Sequence, residues 1–240
     1  MGRNPNRETV FRMKRFEVIN RESAMKPGTD GVLLGAWGSA DVARRIIDVG
    51  TGTGLIALMM AQRYAEAEIT AVEIDERAAS EAALNFSNSP WSDRLSVVTG
   101  DFAEFQTDRK FDLIVSNPPF FKTGLMSPSA SRAIARHENS LPFPTLFSKA
   151  DSMLSDNGTL ALITPAEYRD DLIFQAAMAR LYRGRICVVR SVEGKAPFRI
   201  MWEFKKYDGV TINEVLTIRS RADEFTPDYR QLTAEFYLQF

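Results

Sequence analysis

The chain has 240 residues, 45% of them hydrophobic and 25% charged, with a net charge of −1, which is the usage of one globular domain able to bury a full core. That balance excludes recruitment of nucleic acid by a global field, and a single Cys with a single His excludes an internal disulfide and a metal-ligand cluster. The basic start Met1–Arg15 has no apolar h-region and the longest apolar run, Leu55–Ala61, is far short of a membrane span, so secretion and membrane insertion are not expected and a cytoplasmic location is.

In chain order, residues 1–26 come first, with Arg3, Arg7, Arg12, Lys14, Arg15, Arg21 and Lys26 set against only Glu8, Glu17 and Glu22. They divide the chain into a basic N-terminal arm over 1–22, suited to tracking phosphates, and one domain over 23–240; a merely solvated terminus is the plainer reading. Next, Lys26-Pro27-Gly28-Thr29-Asp30-Gly31 reads as a turn, and Thr29 or Asp30 can cap a helix through Leu33-Leu34.

The run Ile46-Ile47-Asp48-Val49 leads into Gly50-Thr51-Gly52-Thr53-Gly54 and then the helical Leu55–Ala61. Strand, glycine turn and helix form the context of a nucleotide loop. Gly-x-Gly-x-Gly differs from the Gly-x-Gly-x-x-Gly of a pyrophosphate site, whose third glycine permits close helix–strand packing. Opened by the acid Asp48, the loop resembles the S-adenosylmethionine loop of Rossmann-like methyltransferases.

A second strand, Ile69–Ile74, brings Glu73 nineteen residues past Gly54, where an acid can accept from both ribose hydroxyls of an adenosine. A third, Leu95–Thr99, closes on Gly100-Asp101-Phe102, in which Asp101 can accept from an adenine amino group while Phe102 covers the ring. A fourth, Phe111–Ser116, runs into Asn117-Pro118-Pro119-Phe120. This tetrapeptide resembles the signature of methyltransferases acting on a conjugated nitrogen. The Asn amide oxygen and the Pro118 carbonyl can accept both hydrogens of an exocyclic NH2 and Phe120 can stack on the base, with two prolines stiffening the turn.

Strands near 158–164, 185–192 and 197–205 complete seven, the last two joined by a short turn as a hairpin. The expected fold is α/β and Rossmann-like: a mostly parallel seven-stranded sheet with an antiparallel closing strand and helices on both faces. Ligands then bind outside the carboxyl ends of the strands, where the four motifs converge. Two more basic groups, Arg132, Arg136 and His137, and Arg180, Arg183, Arg185 and Arg190, suggest a basic rim around an acidic pocket. Trp37, Trp91, Trp202 and Cys187 read as core.

Ala24–Trp37, the glycine loop, Asn88-Ser89-Pro90-Trp91, Ser116–Phe120 and Glu235-Phe236-Tyr237-Leu238 together resemble the bacterial tRNA(Val) adenine-N6 methyltransferase family. The resemblance covers nearly the whole chain; Phe120 stands where many members have Tyr. It implies a tRNA partner, an adenine immediately 3′ of the anticodon as target, and S-adenosylmethionine as cofactor without a metal. It also implies that Lys26, Thr29, Asp30 and Gly31 close over the methionine end, beside Asp48, Gly50, Gly52, Gly54, Glu73, Asp101, Phe102 and Asn117. Catalysis would fall to Asn117, Pro118 and Phe120. Related signatures occur in methyltransferases of ribosomal RNA guanine N2 and release-factor glutamine N5, and a non-catalytic RNA-binding cofactor protein is a further alternative.

Overall fold

In the computed structural model, which describes residues 10–21, 23, 26–119 and 141–239, the apolar runs form one eight-stranded sheet. Its strands are β3 (Arg45–Val49), β4 (Glu68–Glu73), β5 (Leu95–Thr99), β6 (Phe111–Ser116), β7 (Leu154–Pro165), β8 (Tyr182–Val192), β9 (Arg199–Lys205) and β10 (Ile212–Arg219). An antiparallel hairpin of β1 (Val10–Arg12) and β2 (Glu17–Ile19) precedes them. The α-helices among the described residues are α1 (Thr29–Trp37), α2 (Leu55–Arg63), α3 (Glu76–Ser87), α4 (Phe143–Met153), α5 (Arg169–Met178) and α6 (Pro227–Thr233).

Neighbouring strands run β10-β8-β9-β7-β6-β3-β4-β5, and β9 is antiparallel to both strands beside it. The remaining pairs are parallel. From β3 the chain first moves outward through β4 and β5, then returns to the other side of β3 as β6. That reversal leaves a crevice at the carboxyl ends of β3 and β6, the usual ligand position in such sheets.

Alternation within the strands sorts side chains to two cores. Ile46, Leu113, Val115, Ala161, Ile163 and Met201 pack with Leu33, Met59 and Phe86 of α1, α2 and α3. Ile47, Ile114, Leu160, Leu162, Ile200 and Trp202 pack with Phe147 of α4 and Leu172 of α5. Burial on both faces is why these strands read as continuous apolar runs. Each such large side chain contributes about 1.5–3 kcal/mol relative to exposure.

The Rossmann-like sheet and its antiparallel strand agree with the sequence reading, and the 185–192 with 197–205 hairpin forms with Arg185 opposite Glu203. An eighth strand, β10, adds to the expected seven by pairing parallel with β8 at the sheet edge. Asn213 and Glu214 interrupt its apolar pattern, and Ile212 and Val215 are exposed, so its sequence lacks a buried strand's continuity. The N-terminal hairpin, which the sequence reading assigns to a basic arm over 1–22, packs on the sheet. Met13, Phe16 and Val18 of the hairpin are buried in the same core as the sheet, and the Lys14 amide donates to the Phe236 carbonyl at 2.8 Å. The hairpin therefore shares the core of the sheet. No helix among the described residues is long and apolar enough to cross a membrane.

Candidate active site

The glycine loop leaves β3 in left-handed conformations, with φ of +69° at Gly50, +58° at Gly52 and +87° at Gly54. The Gly50 and Thr51 amides both donate to the Val72 carbonyl of β4, at 2.9 and 3.2 Å. At Gly52 a Cβ would meet nothing within 4 Å among the described residues, so the glycine serves the backbone turn and leaves that side open to a ligand. At Gly54 a Cβ would come within 2.5 Å of the Phe86 ring, so here packing against α3 also demands glycine.

Asp48 lies beneath this loop and is fully buried. Its Oδ2 accepts from the Thr51 hydroxyl at 2.6 Å and from the Ala57 amide at 3.1 Å, the first tying down the loop and the second α2. Its Oδ1 has no hydrogen-bond partner among the described residues. Burial pushes the carboxyl up to about 7, with nearby Glu73 adding to the shift and the two hydrogen bonds opposing it. An unpartnered buried carboxylate oxygen under a glycine loop fits a cationic ligand.

Glu73 ends β4 and is 8% exposed. Its Oε2 accepts from the Gly52 amide at 2.8 Å and its Oε1 from the Asp75 amide at 2.9 Å. Each oxygen keeps a second lone pair, so Glu73 both braces the loop and can accept hydroxyls. Asp101 follows β5, is exposed, and accepts the Ala103 amide on Oδ1 at 2.8 Å. The expected ring cover, Phe102, is placed otherwise. It is 4% exposed, stacks on Phe105 at 6.3 Å and lies 5.5 Å from Lys149, so apolar packing under α4 has turned it into the core.

At the end of β6 the Ser116 hydroxyl donates to the Val49 carbonyl at 2.8 Å, which brings the Asn117 turn beside the start of the glycine loop. Asn117 is half-buried, Pro118 buried and Pro119 half-buried. No group among the described residues takes up the Asn117 side-chain amide. Phe120, Arg132, Arg136 and His137 lie outside the described residues.

The N-terminal motif is placed by α1. Lys26 and Thr29 are exposed, and Gly31 is buried where a Cβ would stand 3.1 Å from Cδ2 of Leu55, the first residue of α2. The helix cap is Gly28, without a side-chain hydrogen bond, so neither Thr29 nor Asp30 caps. Asp30 is drawn away by an ion pair, its Oδ2 accepting from Nε of Arg199 at 2.8 Å. Arg199 opens β9 opposite Pro165 at the end of β7. Nothing local in the sequence marks it, because only the antiparallel run of β9 carries it to the crevice end.

The third basic group does not form a rim. Arg185 donates to Glu203 Oε1 and to the carbonyl of Trp37, the last residue of α1, and its guanidinium lies 4.0 Å from the Trp37 ring. Arg180, Arg183 and Arg185 thus sit toward the amino end of β8, away from Asp30; only Arg190 approaches its carboxyl end.

Residues 27–201 match the family model of the methyltransferase small domain. The chain is 43% identical to a tRNA1(Val) (adenine(37)-N6)-methyltransferase of Porphyromonas gingivalis, over 95% of this chain and 94% of the relative. It is 42% identical to one of the same name from Bacteroides thetaiotaomicron, over 95% and 97%. Among solved structures, a predicted O-methyltransferase of Agrobacterium tumefaciens superposes with a TM-score of 0.69 at 21% identity, covering 86% of this chain and 96% of that one, a likeness of fold.

Proposed function

The chain belongs to the methyltransferase small domain family and, within it, to the tRNA1(Val) (adenine(37)-N6)-methyltransferases, and from that premise we propose that it methylates the N6 amino group of adenine 37 in tRNA1(Val). S-adenosylmethionine is its cofactor, and when bound supplies an electrophilic methyl group on a positive sulfonium.

The residues present fit that group. Among the described residues, Asp48 offers an unpartnered carboxylate oxygen beneath the loop, and nothing lies within 4 Å of the Cβ positions of Gly50 and Gly52. Glu73 would take the ribose hydroxyls, Asp101 the adenine amino group, and the Lys26–Gly31 segment the methionine end.

Asn117 and the Pro118 carbonyl accept the two hydrogens of the target NH2, which turns the nitrogen lone pair out of conjugation and toward the methyl group. Phe120 stacks on the base. Positioning supplies most of the acceleration, for which intramolecular models allow about 7–11 kcal/mol. No strong side-chain base is required, because the methylated, ammonium-like product is acidic and loses its proton to solvent. An anticodon-loop base is already unpaired, so extrusion costs at most about a few kcal/mol.

The observation that carries this reading is the Ser116–Val49 hydrogen bond, which holds the Asn117 turn beside the glycine loop. Cytoplasmic action follows from a tRNA substrate. The test is nucleoside mass spectrometry of purified tRNA1(Val) from a strain lacking the gene and from its parent. N6-methyladenosine at position 37 is expected only in the parent; its equal presence in both would refute the assignment.

A further inference from the structure

Asn85 lies near the end of α3 and is 1% exposed. Its amide is spent wholly on backbone. Oδ1 accepts from the Ile19 amide at 2.8 Å, while Nδ2 donates to the Ile19 carbonyl at 3.0 Å and to the Thr53 carbonyl at 2.8 Å. Two distant segments, the end of β2 and the glycine loop, thus meet on one side chain. The next residue, Phe86, fills the space that a Cβ on Gly54 would need. Successive residues of α3 therefore grip successive residues of the loop, one by a hydrogen bond and one by packing.

We propose that Asn85 is a positioning residue for the cofactor, fixing the far end of the glycine loop against the N-terminal hairpin. A loop with three left-handed glycines has few side chains of its own to hold its shape, and the conformational freedom it keeps must be lost on binding. Asn85 removes that freedom beforehand and satisfies a carbonyl of the buried Thr53. The inference rests on the cofactor reading above. Because the contact serves the loop and not the reacting nitrogen, its loss belongs to cofactor binding, not to the chemical step.

Asn85→Asp tests this, since it keeps the volume and the acceptor facing the Ile19 amide but loses both donors. The measurements are calorimetric titration with S-adenosylmethionine and with S-adenosylhomocysteine, single-turnover methylation at saturating cofactor, and thermal unfolding. Leu216→Ala on β10, at the opposite edge of the sheet, provides a destabilised control. Both ligands should bind Asn85→Asp at least about tenfold more weakly. Its saturated single-turnover rate should stay within about twofold of the parent, the split expected when only uniform binding is lost. Leu216→Ala should unfold at lower temperature and bind as the parent does. Unchanged affinity in Asn85→Asp, with only a lowered unfolding temperature, would overturn the proposal. If that variant does not fold, Asn85→Ser is measured in the same way, and failure of both to fold would also overturn a local role. Absence of binding by the parent chain would sink the cofactor reading and this inference together, and the parent's own titration separates that result from the others.

Discussion

Asp48 holds its proton to about pH 7 because burial outweighs its two hydrogen bonds. In the unfolded chain the same carboxyl titrates near 3.8, so between about pH 4 and 7 the folded state binds the extra proton. Its contribution to stability is therefore fully present below the unfolded value and is lost as pH rises through 7. A cation arriving above the carboxylate favours the charged form, so cofactor affinity should rise over about pH 6–8 with release of a proton. Calorimetry in two buffers of different ionisation enthalpy measures that proton, and Asp48→Asn should abolish the release; an unchanged release would place the titration elsewhere. Glu73 presents a different balance, because its oxygens already serve Gly52 and Asp75. Glu73→Ala should lose one or two charge-assisted hydrogen bonds to the cofactor of about 1.5–3 kcal/mol each, at least about tenfold in affinity by titration. Parental affinity would remove Glu73 from the site.

The hairpin of β1 and β2 changes how the basic N-terminus can be tested. Removing residues 2–15 would take buried Met13 from the core and the Lys14 backbone bond from Phe236, and a lost core Met alone costs about 2–5 kcal/mol. Truncation of residues 2–9 avoids both. It should weaken tRNA binding and lower the slope of log affinity against log salt by about 0.7–0.9 per lost phosphate contact, with cofactor affinity unchanged. An identical slope would mean that these residues do not follow phosphates. Elements like this hairpin show where sequence reading stops. Strands β3 to β6 and their terminal motifs are legible because each strand, its turn and its candidate site residue lie within a few residues of one another. The Asp30–Arg199 pair spans 169 positions and Asn85 joins residues 66 and 32 positions away, so neither has a local pattern. The direction of the Phe102 ring is illegible for another reason: the strand end fixes where the residue lies but not which way the following turn faces its ring.

At the scale of the molecule, the order of the sheet gathers what the sequence scatters. The reversal between β3 and β6 sets the glycine loop beside Asn117, β4 adds Glu73 on one flank, and antiparallel β9 returns Arg199 on the other. The groups proposed to hold cofactor and substrate thus occupy adjoining strand ends, and Asn117 is proposed to act on the transferred methyl's acceptor rather than on the fold. Single-turnover methylation of tRNA1(Val) by Asn117→Ala, run beside titrations of S-adenosylmethionine and tRNA, tests that most directly. Binding of both should be retained while methyl transfer falls at least about 10²-fold, the scale of losing one preorganised polar contact to a reacting group. Near-parental turnover in that variant would contradict the account.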